Sequence, residues 1–185
     1  SIDVIIYPKP TTNTFSNSPI CEGEDLLLFE NGGDAVSWDW SGPNGFSSTE
    51  QNPIIPNAST VNSGLYPVLI TDMNGCQRSA NIDFTVHPTP NIDAFSNSPV
   101  CEGETINFTE AGGDAISWTW TGPNNFNSTN QNPVISNASP SNNGTYNLFI
   151  TDINGCTNTA SIDVIIYPKP TTNTFSNSPI CEGED

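Results

Sequence analysis

Residues 1–25 of this chain, SIDVIIYPKPTTNTFSNSPICEGED, recur without a mismatch as residues 161–185. A looser repeat lies inside the first. A shift of 80 aligns the chain without a gap, placing Cys21 on Cys101, Trp38 on Trp118, Trp40 on Trp120, Tyr66 on Tyr146 and Cys76 on Cys156. Self-similarity at a fixed period marks stacked supersecondary units. An 80-residue module therefore comes in two flavours, and the pair recurs every 160 residues. The repeat is expected to run on past both ends. Residues 1–8 read as the last strand of a preceding module, 9–88 and 89–168 as two complete modules, and 169–185 as the first strand of a following one. An enzyme gains nothing from adjacent copies of one pocket, whereas a stalk gains length.

Charge narrows the function classes. The chain carries 3 Lys+Arg against 20 Asp+Glu, a formal charge of −17. A nucleic-acid binder needs a basic patch for phosphates. Lys9, Arg78 and Lys169 are too scattered to form one, and the same deficit disfavours an anionic membrane surface. No apolar run approaches the ~20 residues of a membrane span. Asn, Ser, Thr, Gly and Pro abound and long helical patterns are missing, as in secreted all-β chains with many turns.

Alternation with period two picks out the strands. Leu26 and Leu28 share one parity, as do Ile106 and Phe108 in the next copy. Val36, Trp38 and Trp40, and Ile116, Trp118 and Trp120, are expected to face inward together. Tyr66, Val68 and Ile70 match Tyr146, Leu148 and Ile150. A last strand carries Ile82, Phe84 and Val86, or Ile162, Val164 and Ile166. Between these last two strands stands Asn-Gly-Cys, where Asn-Gly suits a two-residue type I′ hairpin turn. About seven short strands in each 80-residue copy read as a β-sandwich. The expected core aromatics are Trp38, Trp40, Tyr66, Trp118, Trp120 and Tyr146.

The string C-E-G-E…W-x-W-x-G-P-N-x-F…Q-N-P…G-x-Y…T-D-x-N-G-C occurs in both complete modules. It resembles the Ig-like and PKD-like repeats of giant surface adhesins, including gliding-motility adhesins, of Bacteroidota that export them by type IX secretion. The Tyr after Gly resembles the tyrosine corner of immunoglobulin-like sandwiches. The resemblance implies tandem Ig-like sandwiches in an extended array, outside the cell. The two positions that carry the inter-sheet disulfide of ordinary immunoglobulin domains hold Leu28 and Val68, or Phe108 and Leu148.

The cysteines are Cys21, Cys76, Cys101, Cys156 and Cys181. Two per module in an extracellular array point to disulfides. In the topology that the resemblance implies, Cys21 and Cys76 lie at opposite ends of one sandwich, roughly 23 Å apart at 3.3 Å per strand residue. A disulfide needs Cα atoms within about 7 Å. Two pairings stay open, Cys21–Cys76 within a module and Cys21–Cys156 between modules, with that topology favouring the second. Cys76 would then pair with the module before, and Cys101 with the module after.

The junctions HPTPN (87–91) and YPKPT (167–171) hold Pro-x-Pro, which keeps a backbone extended. Near them stand Glu22, Glu24 and Asp25 of one module and Asp114, Asp152 and Asn154 of the next. Such oxygen ligands suit calcium; they also suit turns, which Asp and Asn close by local hydrogen bonds. No other cofactor is expected.

Catalytic signatures are missing. His87 is the single histidine and its counterpart is Tyr167. No zinc spacing, phosphate loop or nucleophile elbow occurs. The carboxylates that recur between modules are those at Glu22, Glu24, Glu30, Asp34, Asp72 and Asp3/Asp83, mostly in turns. The Asn-x-Ser/Thr strings at Asn57, Asn107, Asn127, Asn137 and Asn143 are read as chance in so Asn-rich a chain. The expectation is a non-enzymatic stalk or filament repeat whose partners are neighbouring modules. The rival is a module that binds polysaccharide or a surface by stacking sugars on Trp40, Phe46, Trp120 and Phe126, against which Trp40 and Trp120 share the parity of the core.

Overall fold

Short apolar alternations, each closed by Gly, Asn or Pro, fold into strands too brief to stand without partners. The computed structural model describes residues 2–173 and 182. The strand expected over 169–185 falls mostly outside the described residues, as does Cys181. In the first copy the strands are β1 (Thr14–Ser16), β2 (Ile20–Cys21), β3 (Leu26–Glu30), β4 (Ala35–Ser41), β5 (Ser47–Ser48), β6 (Ile54–Ile55), β7 (Gly64–Asp72), β8 (Gln77–Phe84) and β9 (Val86–His87). One sheet runs β1-β3-β6 and the other β5-β4-β7-β8, while β2 and β9 pair in parallel. The second copy repeats the plan with β10 (Ala94–Ser96), β11 (Val100–Cys101), β12 (Ile106–Glu110), β13 (Ala115–Gly122), β14 (Phe126–Ser128), β15 (Val134–Ile135), β16 (Gly144–Asp152), β17 (Thr157–Val164) and β18 (Ile166–Tyr167). This is an all-β, immunoglobulin-like fold. Of the described residues, those in 2–91, 114–116 and 150–158 group into one compact unit, and those in 92–113, 117–149 and from 159 onward into another.

The core follows the alternation. Leu26, Leu28, Trp40, Tyr66 and Ile70 are fully buried in the first copy, and Ile106, Trp120, Tyr146 and Ile150 in the second. Burying such side chains is worth ~1.5–3 kcal/mol each. Tyr66 donates its hydroxyl to the Asn62 carbonyl (2.7 Å) and Tyr146 to the Asn142 carbonyl (3.0 Å). Each ring lies against a glycine, Gly42 or Gly122, where a Cβ would collide with it. Burial pushes both phenols above their ordinary pKa, and the hydrogen bond offsets part of that rise.

Four expectations are corrected. Val36 does not join Trp38 and Trp40 on the inner face: it is 61 % exposed, because the β4–β7 register slips by a bulge between Ala35 and Ser37. A bulge inserts one unpaired residue and so reverses the parity upstream of it. Ile116 is likewise 58 % exposed, and Trp38 and Trp118 are half-buried. The Asn-Gly hairpin is not type I′, which needs positive φ at both residues; Gly75 has φ +80° but Asn74 is not left-handed. The Gly75 N–H bonds the Asp72 carbonyl and the Asp72 N–H bonds the Cys76 carbonyl, which makes a three-residue loop. The last strand breaks at Thr85, whose N–H goes to Ser18 Oγ (3.0 Å), so β8 and β9 join different partners. Residues 2–8 form no strand and are exposed, whereas in the identical stretch 161–168 Val164 and Ile166 are buried within β17 and β18.

Candidate functional site

Proline has no N–H, so a Pro-x-Pro segment has few donors, and its position is set by what meets its carbonyls and the residue that follows. At Pro88-Thr89-Pro90 the Asn158 side chain donates to the Pro90 carbonyl (2.9 Å). The next residue, Asn91, donates to Asp114 Oδ2 through its backbone (3.1 Å) and side chain (2.8 Å). The arrangement recurs 80 residues earlier with other side chains. Arg78 donates to the Pro10 carbonyl (3.3 Å), and Thr11 donates to Asp34 Oδ2 through its N–H (3.4 Å) and hydroxyl (3.0 Å). Pro10 and Pro90 are both buried. A shallow cleft beside each segment has matching walls: Pro8, Pro10, Asp34, Asp72 and Asn74 in one, and Pro88, Pro90, Asp114, Asp152 and Asn154 in the other.

The β16–β17 hairpin loop presents Cys156. Asp152 Oδ1 accepts the N–H groups of Asn154 and Cys156 (both 2.8 Å), and its Oδ2 accepts the Asn154 side chain (3.2 Å). Burial works against the Asp152 charge. The Cys156 and Asn154 hydrogen bonds, with His87 nearby, outweigh it and hold the carboxyl below its ordinary pKa. So oriented, Cys156 forms a disulfide with Cys21, with Cα atoms 5.5 Å apart and a sequence separation of 135. Cys21 is equally constrained: its N–H bonds Glu24 Oε2 (2.8 Å), and it lies opposite His87 in the β2–β9 pair. The partners at both ends of this link come from turns and a two-residue strand, not from a sheet interior.

Cys76 and Cys101 are free thiols. Cys76 is half-buried, its N–H bonded to Asp72 Oδ1 (2.8 Å) and its Sγ 3.9 Å from the Tyr7 carbonyl. Cys101 is exposed, its N–H bonded to Glu104 Oε2 (2.7 Å), and it lies opposite Tyr167 in the β11–β18 pair.

Of the six residues considered as calcium ligands, Asp114, Asp152 and Asn154 line one cleft, and Glu22, Glu24 and Asp25 are not among its walls. Glu24 holds the Cys21 N–H, Asp25 Oδ1 the Asn57 N–H (3.0 Å), Asp114 the Asn91 amides, and Asp152 the Asn154 and Cys156 groups. Asp152 and Asn154 bond each other; Glu22 engages by its backbone, donating to the His87 carbonyl (2.8 Å). Among the described residues no three Asp, Glu, His or Cys side chains gather as a metal site would require. Nor do the aromatics form a stacking surface. Trp40 and Trp120 are fully buried, and Phe46 and Phe126 pack against Tyr66 and Tyr146 at 5.6 and 5.4 Å between ring centroids.

A buried carboxylate was missed. Glu30 is fully buried and accepts the N–H groups of Asn13 (3.0 Å) and Gly32 (2.8 Å) and the Trp38 indole (3.2 Å). Glu110 repeats this with Gly112 (2.6 Å) and the Trp118 indole (3.1 Å). The signal was in the sequence, since the parity that sends Leu26 and Leu28 inward sends Glu30 after them.

Residues 89–166 match the immunoglobulin domain family. Among solved structures the chain is similar to murine CEACAM1b, with TM-score 0.42 and 15 % identity, covering 84 % of this chain and 99 % of that one. It is similar to a chain of the mouse coronavirus receptor-binding domain complexed with its murine receptor, with TM-score 0.45, 15 % identity and coverage of 84 % and 99 %. It is also similar to the three N-terminal domains of the highly immunogenic outer capsid protein of bacteriophage RB49, with TM-score 0.41, 14 % identity and coverage of 85 % and 59 %. No curated protein matches significantly. Among the described residues no helix is long and apolar enough to cross a membrane. The family match and the strand plan assign residues 89–166 to an immunoglobulin-like domain.

Proposed function

We propose that this chain is a structural repeat in the stiff stalk or filament of a giant extracellular adhesin, serving surface attachment or gliding motility. The observation that carries the reading is the Cys21–Cys156 disulfide, which ties residues further apart than one 80-residue repeat. Recurring hydrogen bonds to the two Pro-x-Pro segments support it. A disulfide suits an oxidising compartment outside the cytosol, and the strong negative charge keeps such a surface soluble. The work of the chain is mechanical and needs no catalytic group: it sets spacing while another part of the protein binds.

The rival reading, a polysaccharide-binding module, loses the stacking residues it relied on, because Trp40 and Trp120 are enclosed. Glycan-array binding by this chain separates the two. The stalk reading expects no glycan retained above background; specific retention of any glycan class overturns it.

A further inference from the structure

We propose that Cys101 of one copy of this chain and Cys76 of a second copy are the two halves of a covalent junction, so that copies join head to tail through a Cys101–Cys76 disulfide. The Cys21–Cys156 bond supplies the template. Cys101 stands where Cys21 stands, one repeat on, and the backbone contacts of Cys21 recur there. The Cys21 and Cys101 N–H groups bond Glu24 and Glu104 (2.8 and 2.7 Å). The Glu24 and Glu104 N–H groups return to the two cysteine carbonyls (3.1 and 3.0 Å). Gly23 and Gly103 bond Ala58 and Ala138 (2.8 and 2.7 Å), and Glu22 and Glu102 bond His87 and Tyr167 (both 2.8 Å). Cys76 stands where Cys156 stands, and Asp72 and Asp152 hold the two cysteine N–H groups at the same 2.8 Å. Two thiols are thus presented like the bonded pair, one at each half-site, and neither is bonded.

The neighbour of Cys76 corresponds to the neighbour of Cys101. In the bonded junction Cys21 lies opposite His87 in β2–β9. Cys76 Sγ lies 3.9 Å from the carbonyl of Tyr7, the residue that aligns with His87. Cys101 lies opposite Tyr167, which aligns with Tyr7 in turn. Residues 1–8 and 161–168 have one sequence, and residues 2–7 make no strand, with Ile2 93 % and Ile6 87 % exposed. In the second copy the 161–168 stretch, paired beside Cys101 through Tyr167, thus has the sequence of the segment whose Tyr7 carbonyl adjoins Cys76.

The oxidant is a low-molecular-weight disulfide such as oxidised glutathione. The Cys101 thiolate attacks one of its sulfurs, forming a mixed disulfide and releasing one small thiol. The Cys76 thiolate of the second copy attacks the Cys101 sulfur, forming the junction and releasing the second small thiol. Two protein thiols are oxidised and one small disulfide is reduced to two thiols.

The proposal rests on the cysteine geometry and not on the stalk reading; glycan binding leaves it standing. The test uses the whole chain with Cys181→Ser, in a glutathione redox buffer, as C76S and C101S variants separately and mixed. Peptide mapping first establishes that Cys21–Cys156 is intact in each. Each variant by itself is expected to stay monomeric on non-reducing gels. The mixture is expected to give dimers joined Cys101–Cys76, about tenfold or more over any symmetric pair, because docking raises effective concentration. Symmetric dimers formed as readily as mixed ones overturn the proposal, and so does a mixture that stays monomeric while Cys21–Cys156 persists.

Discussion

The Trp38 indole donates to the carboxylate of Glu30 at 3.2 Å, inside a site that excludes Glu30 from solvent altogether. The carboxylate also satisfies the N–H groups of Asn13 and Gly32. A buried donor left without its acceptor costs about 1–3 kcal/mol. Glu30→Leu is therefore expected to destabilise the fold by on the order of 3 kcal/mol, although it adds apolar volume to a β3 already lined by Leu26 and Leu28. Trp38→Phe, which removes one donor and leaves the acceptor served by two others, is expected to cost less. Urea titrations of the two variants decide the order; an unperturbed midpoint for Glu30→Leu refutes it.

The bulge in β4 makes a second contrast. Val36 is 61 % exposed while Ile70, on the partner strand, is fully buried. Val36→Thr is expected to change stability by less than about 0.5 kcal/mol, as surface substitutions do. Ile70→Ala is expected to cost about 2–5 kcal/mol, through lost burial and the cavity left behind. A large loss for Val36→Thr would mean that the bulge does not persist in solution.

These residues also show how far the sequence could be read. The repeat and the parity of Leu26, Leu28, Tyr66, Val68 and Ile70 were legible, because they need only period-two burial within one strand. Val36 was not, because a bulge depends on register against β7, which no local pattern reveals. The Asn74-Gly75 turn was misread for a similar reason: the Asp72 side chain bonds the N–H groups of Asn74 and Cys76 and stabilises a longer loop than the dipeptide suggests. Glu30 obeyed the parity rule but carried a charge, and only the three donors around it make that burial tolerable. Of the candidate site, the cysteines could be found but left two pairings open, since the choice depended on which ends of the strands meet.

Acid should act through Asp152. Hydrogen bonds to Cys156 and Asn154 hold its folded pKa below the ordinary carboxylate value of 3.8. A depressed folded pKa means that the ionised form stabilises the fold above pH 3.8, and that this contribution is lost as pH falls through the folded value. Asp152→Asn keeps an oxygen acceptor for the two N–H groups but cannot titrate. The variant is expected to be less stable than the native chain at neutral pH, with the gap closing below pH 3.8. Thermal melts from neutral to acid pH test this; a gap that stays constant to the lowest pH would assign the loss to packing instead.

Reduction of Cys21–Cys156 is the broadest perturbation. Cross-linking residues 135 apart removes chain entropy from the unfolded state, by up to about 5 kcal/mol in the loop-closure treatment. Unfolding a chain of this size responds by about 2–4 °C per kcal/mol, so reductant should lower the melting temperature by on the order of 10 °C. Cys21→Ser and Cys156→Ser should each reproduce the shift, and reductant should then add nothing to either variant. Cys76→Ser and Cys101→Ser are expected to leave the melting temperature of the isolated chain unchanged, since neither thiol is bonded within it. Calorimetry of the five proteins with and without reductant checks all of these outcomes together. Equal melting with and without reductant in the native chain would show that the Cys21–Cys156 link adds nothing beyond the hydrogen bonds from Asn91 to Asp114 and from Asn158 to the Pro90 carbonyl.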